Sequence, residues 1–186
     1  MPIVVESRRK SLVTLNKLYP GAEVLDVTSK GPDPWIRFSP FFPHGGIPIP
    51  NTPRMTAQSV EGVWQGLKVF ETEGVDASKL SNRSMHDLKR TQRRFGSVKG
   101  HQHGLLSRQL LSYKDARRDI YLPTYHWILE NKLQLEIELL RTLAQTKTVV
   151  LLDYTTNGNW EDTSEPLSHA ALVKLFAEGH WPVASA

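Results

Sequence analysis

The chain has 186 residues, 39% hydrophobic and 23% charged, with a formal net charge of +4 and no cysteine. That length supports one core burying roughly 70% of the unfolded surface, and the composition excludes disorder, disulfides, thiolate metal sites and a cysteine nucleophile. The mild positive charge permits an anionic partner without requiring one, and the lack of cysteine fits a cytoplasmic protein.

The opening MPIVVESRRK has no apolar stretch long enough for a signal peptide, and the longest apolar run, TVVLL, is far too short for a membrane span. No membrane association is expected. Residues 7–18 carry Leu12, Leu15 and Leu18 at helical spacing and stop at Pro20-Gly21. AEVLDVTS alternates as a strand, KGPDP turns, and WIRFS reads as a second short strand. Residues 40–53, PFFPHGGIPIPNTP, hold five prolines and two glycines beside Phe41, Phe42 and Ile47, which predicts an ordered, packed loop.

A helix is expected over 57–71, a second, basic one from a Ser84 cap through MHDLKRTQRRFG, and a turn bracketed by Gly96 and Gly100. Residues 113–145 read as mostly helical with an interruption near Pro123. KTVVLLDY is a buried strand, TTNGNWEDTSEP a polar loop, and LSHAALVKLFAEG an amphipathic helix ended by Gly179. The class is α+β, a compact and mainly helical domain around a small sheet.

SVEGVWQGLKVF, residues 59–70, stands apart. On a helical wheel Glu61, Gln65 and Lys68 fall within about 60° of one another. Val60, Val63, Trp64, Leu67 and Phe70 form a core face, and Gly62 and Gly66 a side that another backbone can approach. No wide solvated face is left, so the helix is expected to be covered and its polar stripe to be buried or to look into a pocket. A buried carboxylate has a perturbed pKa, as a general base requires. The same three residues also suit an ordinary stripe on a partly exposed helix.

The pattern Ser59, Glu61, Gln65, Lys68 with Trp64 and Phe70 resembles the signature helix of the NADAR (YbiA-like) family. FSPFFPHGG resembles that family's Phe-Ser-x-Phe segment through Phe38, Ser39 and Phe41, and the helix with Lys132, the strand ending at Asp153 and TTNGNWED resemble its ending. The resemblance spans about residues 35–178. It divides the chain into an N-terminal helix–strand extension, 1–34, packed on a catalytic domain, 35–186. Two departures mark a divergent branch: the glycine-rich turn after the Trp is replaced by EDTSEPLSHA, and the Asn and Gly opening the final helix are missing. The resemblance implies cleavage of N-glycosidic bonds. Family substrates include phosphoribosyl-type intermediates of riboflavin synthesis and ADP-ribose on a nucleobase, with the Glu of the signature helix in catalysis.

On that reading Glu61 is the general base or cation stabiliser, Lys68 holds a phosphate or tunes Glu61, and Gln65 orients a water or a hydroxyl. Asp153 is either a second carboxylate or a cap for the following loop. Trp64, Trp160, Asn157, Asn159 and Asp162, with Phe38, Ser39, Phe41 and His44, are candidates for the substrate site. Arg90, Arg93 and Arg94 are candidate phosphate ligands, and the segment 84–99 with Lys89 and Lys99 offers a surface to DNA or merely a solvated face. His101 and His103 lack a third metal ligand, so neither a metal nor another cofactor is expected. The expected partners are a nucleotide, an ADP-ribose-type molecule or a modified nucleobase. The alternatives are a non-catalytic ADP-ribose or NAD-binding module and a basic nucleic-acid-binding protein.

Overall fold

The computed structural model describes residues 2–182. In chain order it forms β1 (Ile3–Ser7), α1 (Leu12–Leu18), β2 (Glu23–Asp26), a 3₁₀ turn at Trp35–Phe38, β3 (Ile47–Pro48) and β4 (Thr56–Ala57). Then come α2 (Val60–Gly66), β5 (Lys68–Phe70), α3 (Gln92–Phe95), β6 (Val98–Gln102), β7 (Leu110–Leu111) and α4 (Tyr113–Ala116). A π-helical segment at Arg117–Tyr121 leads into α5 (Leu122–Asn131), α6 (Gln134–Thr146), β8 (Val149–Asp153) and α7 (His169–Ala177). The class is α+β, as expected. Two compact units are present, one from residues up to Ser39 and from Leu129 onward, the other Pro40–Ile128.

In the first unit β8 lies between β1 and β2, parallel to both, with Val150 opposite Val4 and Val24. A parallel strand needs cover on both faces, and all five residues of β8 are buried. Val150 and Leu152 pack with Leu15 of α1. The alternate residue Asp153 faces the other way and bonds to α7. The first 34 residues are therefore no appendage. They supply both neighbours of β8, and a division at residue 34 does not coincide with the units. Helix α1 begins at Leu12 rather than Ser7, because the Ser11 side chain accepts the Thr14 N–H and fixes the start there.

In the second unit Ile49, Ala57, Val63, Trp64, Leu67, Leu80, Leu111, Ala116 and Ile120 form the core. The sheet β5–β6–β7 is antiparallel, and β3, in the proline-rich stretch, pairs with β4 just beyond it.

Three expected elements differ. Trp35–Phe38 is a 3₁₀ turn, closed by Arg37 N–H to Pro34 O (3.1 Å) and Ser39 N–H to Ile36 O (2.9 Å), not a strand. The basic segment from Ser84 is not one helix: Met85 and Asp87 have φ of 60° and 56°, in the left-handed region that a right-handed helix excludes. Asn82 holds that conformation by accepting the Ser84 N–H (2.8 Å) and donating to His86 O (2.8 Å), so only Gln92–Phe95 is helical. The expected turn between Gly96 and Gly100 is largely strand β6, in which Leu111 O would stand 2.5 Å from a Cβ on Gly100.

The helix expected over 57–71 stops at Gly66, and Lys68 begins a strand. The final carbonyls of a helix lack internal partners, and here each finds one outside. Gln65 O and Lys68 O accept from Arg90 Nη1 (3.2 and 2.6 Å), Gly66 O from Asp76 N–H (2.8 Å), and Leu67 O from Gln102 N–H (2.8 Å).

Candidate active site around helix α2

Every residue of α2 is buried. Its glycines explain how. A Cβ on Gly62 would stand 2.6 Å from Lys79 O, and one on Gly66 would meet Leu80 Cδ2 at 3.0 Å and Asp76 O at 3.3 Å. The close backbone approach expected from their spacing is made by the segment Asp76–Leu80. At the other end the proline-rich loop docks on the helix start: Glu61 N–H donates to Pro40 O (2.8 Å), Gly62 N–H to Ser59 Oγ (3.0 Å) and Gly45 N–H to Gln58 O (3.0 Å).

Inside this cover, Gln65 Nε2 donates to Glu61 Oε1 at 2.9 Å, while Gln65 Oε1 accepts the Arg90 backbone N–H at 3.1 Å. The network fixes the orientation of the amide and holds one carboxylate oxygen of Glu61. The Arg90 guanidinium is consumed by Gln65 O, Lys68 O and Gly74 O and lies over the rings of Phe70 and Phe95, 4.9 and 5.3 Å from their centroids. Arg90 is thus a structural clamp, not the expected phosphate ligand. Arg93 and Arg94 remain exposed on α3.

Lys68 leaves the helix before the wheel could bring it beside Glu61, but on β5 it remains within reach of the Glu61 charge. Its ammonium lies 5.7 Å from the Trp64 ring centroid. Burial pushes its pKa down, the charge of Glu61 opposes this, and Arg90 and Lys89 push it further down.

Lys68 pairs directly with His101 across β5 and β6, so the two side chains share a face. His101 is fully buried against Trp64, ring centroids 3.8 Å apart, and its ring nitrogens have no hydrogen-bond partner among the described residues. Burial, and then the charge of Lys68, push its pKa down to about 3, so the imidazole is neutral. Beside these groups opens a cavity of about 420 Å³ lined by Lys68, Gln92, Lys99, His101 and Tyr113, with Val98 and Gly100. Tyr113 meets Trp64 edge-on at 5.9 Å. Tyr113 carries no sequence signal for this cavity, while Lys99 and His101 stand out in sequence only within the basic stretch and, for His101, as half of a metal pair. The register that joins β5 to β6 brings them in. Among the described residues no cluster of three His, Asp or Glu side chains has metal-binding geometry.

The other expected site residues do not line this cavity. Phe41 lies under the Lys89 ammonium (5.5 Å), and the ring of His44 tilts against Phe42 (4.8 Å), both in the loop that docks on α2. Phe38, Ser39, Asp153, Asn157, Asn159, Trp160 and Asp162 belong to the first unit. Phe38 is buried and stacked on Trp35, and Ser39 is buried as the end of the 3₁₀ turn. Asn157 Nδ2 donates to Asp162 O and Glu165 O, while Asn159 and Asp162 accept the Glu161 and Ser164 N–H groups. These side chains brace their own loop.

Asp153 is fully engaged within the first unit. Oδ2 accepts from Ser168 Oγ (2.8 Å), His169 Nδ1 (2.9 Å) and the Ala170 N–H (3.3 Å), and Oδ1 from the Tyr154 N–H (2.7 Å). Burial alone would raise its pKa, but the His169 charge and these hydrogen bonds outweigh it and hold the carboxyl below the usual range. His169 also donates from Nε2 to Val27 O (2.9 Å). Burial opposes its charge, yet Asp153 and that carbonyl raise its pKa. The pair anchors the start of α7 to the end of β8.

Fold and site together define an α+β protein with a buried carboxylate–amide pair on α2 and a cavity lined by Lys68, Lys99, His101 and Tyr113. The chain belongs to DUF6939, a family of unknown function, whose model matches residues 7–173. The match includes α1 and β2. No curated protein matches the chain. Among the described residues no helix is long and apolar enough to cross a membrane.

Proposed function

We propose that the chain is an N-glycoside hydrolase acting on an ADP-ribosyl or phosphoribosyl, nucleotide-like substrate in the cytoplasm. One observation carries the reading: Glu61, on a wholly buried helix, accepts from Gln65, whose amide the Arg90 backbone fixes in turn, and its charge acts on Lys68, which lines a cavity of about 420 Å³, within the size range of small-ligand sites. The resemblance of this helix to the NADAR signature supports the same chemistry, and the absence of cysteine supports the compartment.

Breaking a C–N glycosidic bond builds positive charge on the sugar, which a fixed carboxylate stabilises. Glu61 takes a proton from water, the oxygen adds to the anomeric carbon, and the C–N electron pair leaves on the base nitrogen. The proton held by Glu61 then passes to that nitrogen. Gln65 positions the carboxylate. Lys68 balances its charge and meets the anionic part of the substrate.

The test is release of ADP-ribose from ADP-ribosylated guanine DNA and of free aminopyrimidine from a phosphoribosyl-aminopyrimidine, followed by chromatography. Release of either product supports the proposal. Tight binding with both compounds intact after long incubation would make the chain a binding module instead. A polyanionic partner has its own support in the exposed Lys89, Arg93, Arg94 and Lys99. It predicts DNA affinity that falls steeply with salt, and flat dependence counts against it.

A further inference from the structure

The cavity beside Lys68 carries one sign of charge. Two lysines line it, no carboxylate does, and its one histidine is neutral. Lys99 reaches it through an irregularity in the sheet. Val69 pairs with Gly100 and Phe70 with Val98, so Lys99 is the extra residue of a β-bulge, a device that re-aims a side chain. His101 supplies an independent observation. It is fully buried in the cavity wall with neither ring nitrogen bonded to another described residue, an arrangement that is unfavourable unless a ligand satisfies it.

We infer that this cavity is a phosphate pocket, in which the Lys68 and Lys99 ammonium groups neutralise a phosphate monoester and His101 donates a ring N–H to one of its oxygens. A neutral imidazole always keeps one N–H donor, and beside two ammonium groups that donor selects an oxyanion over a second cation. Tyr113, exposed at the edge of the cavity, offers its ring to the sugar or base attached to the phosphate. The inference deepens the proposed function and rests on it for calling the ligand a substrate. The assignment also moves phosphate recognition from Arg90, Arg93 and Arg94 to β5 and β6.

The test uses binding, not turnover. Titration calorimetry with ribose 5-phosphate, inorganic phosphate and ribose is run on the wild type and on Lys99→Met, His101→Phe, His101→Gln and Glu61→Gln. The expected result is saturable binding of both phosphate compounds and at least 100-fold weaker binding of ribose. His101→Phe should lose tenfold or more, Lys99→Met a similar factor, and His101→Gln, which keeps an N–H donor, should recover most of it. Glu61→Gln should bind ribose 5-phosphate within twofold of wild type, so loss of hydrolysis with binding intact isolates the catalytic reading from this one. ¹⁵N spectra of the His101 ring supply a readout that needs no variant, because bound phosphate must shift them. Equal affinity for ribose and ribose 5-phosphate, absence of phosphate binding, or His101 resonances unmoved at saturation would each overturn the inference.

Discussion

Acid should destabilise this protein through His101, and the size of the effect follows from its burial. The imidazole is fully enclosed and its pKa falls from 6.5 to about 3. Below pH 6.5 the unfolded chain takes up a proton that native His101 refuses, and each pH unit then removes about 1.4 kcal/mol of stability. Acidifying from pH 7 to pH 5 should therefore remove about 2 kcal/mol through this residue, a large share of the roughly 5–15 kcal/mol typical of a domain. His169 works in the opposite direction. Its pKa is raised, so its contribution is full below the unfolded value and is lost as pH rises through the folded one. Asp153 has a lowered pKa, and its contribution is lost as pH falls through that value. Both are common to wild type and His101→Phe, so the difference between the two proteins isolates His101. Urea unfolding at pH 7 and pH 5 measures it. The wild type should lose about 2 kcal/mol more than the variant, and parallel losses would refute the reasoning.

Arg90→Met should destabilise by about 3 kcal/mol, because one buried and two partly buried carbonyls lose a charged donor at once; a loss under about 0.5 kcal/mol in urea unfolding would contradict the clamp. Gly62→Ala places a methyl 2.6 Å from Lys79 O and should lower stability by about 1–3 kcal/mol, whereas an unchanged midpoint would mean that the segment Asp76–Leu80 yields freely. Asp153→Asn should cost about 2–4 kcal/mol by leaving the buried His169 charge without its partner while product release per folded molecule persists; loss of release at unchanged stability would return Asp153 to the catalytic set.

Local signals foretold those features whose cause is local. Gly62 and Gly66, one turn apart, announced a close backbone approach, and the absence of a solvated face announced a covered helix. Both are observed. The apolar run of β8 was equally legible, as was α7, expected within 167–179 and observed at His169–Ala177. What failed had a distant cause. Lys68 and Phe70 extend the helical period of α2, yet Arg90, Asp76 and Gln102 capture the carbonyls that would have continued it. Arg90 resembled its neighbours Arg93 and Arg94 in sequence, and only its partners in α2 and β5 separate a clamp from a surface charge. His101 lies 33 positions beyond Lys68, and no spacing rule joins residues whose only link is strand register. A break at Gly66 followed by the β-branched Val69 and aromatic Phe70 was the one signal that β5 existed.

The central claim is that Glu61 performs the chemistry on a scaffold that does not need its charge to bind ligand. Single-turnover release of ADP-ribose from ADP-ribosylated DNA, and of the aminopyrimidine from its phosphoribosyl derivative, compares wild type with Glu61→Gln while calorimetry follows ribose 5-phosphate. The account predicts a rate about 10²–10⁴-fold lower in the variant, the range for removing a general base, with affinity unchanged. Equal rates in the two proteins would contradict it.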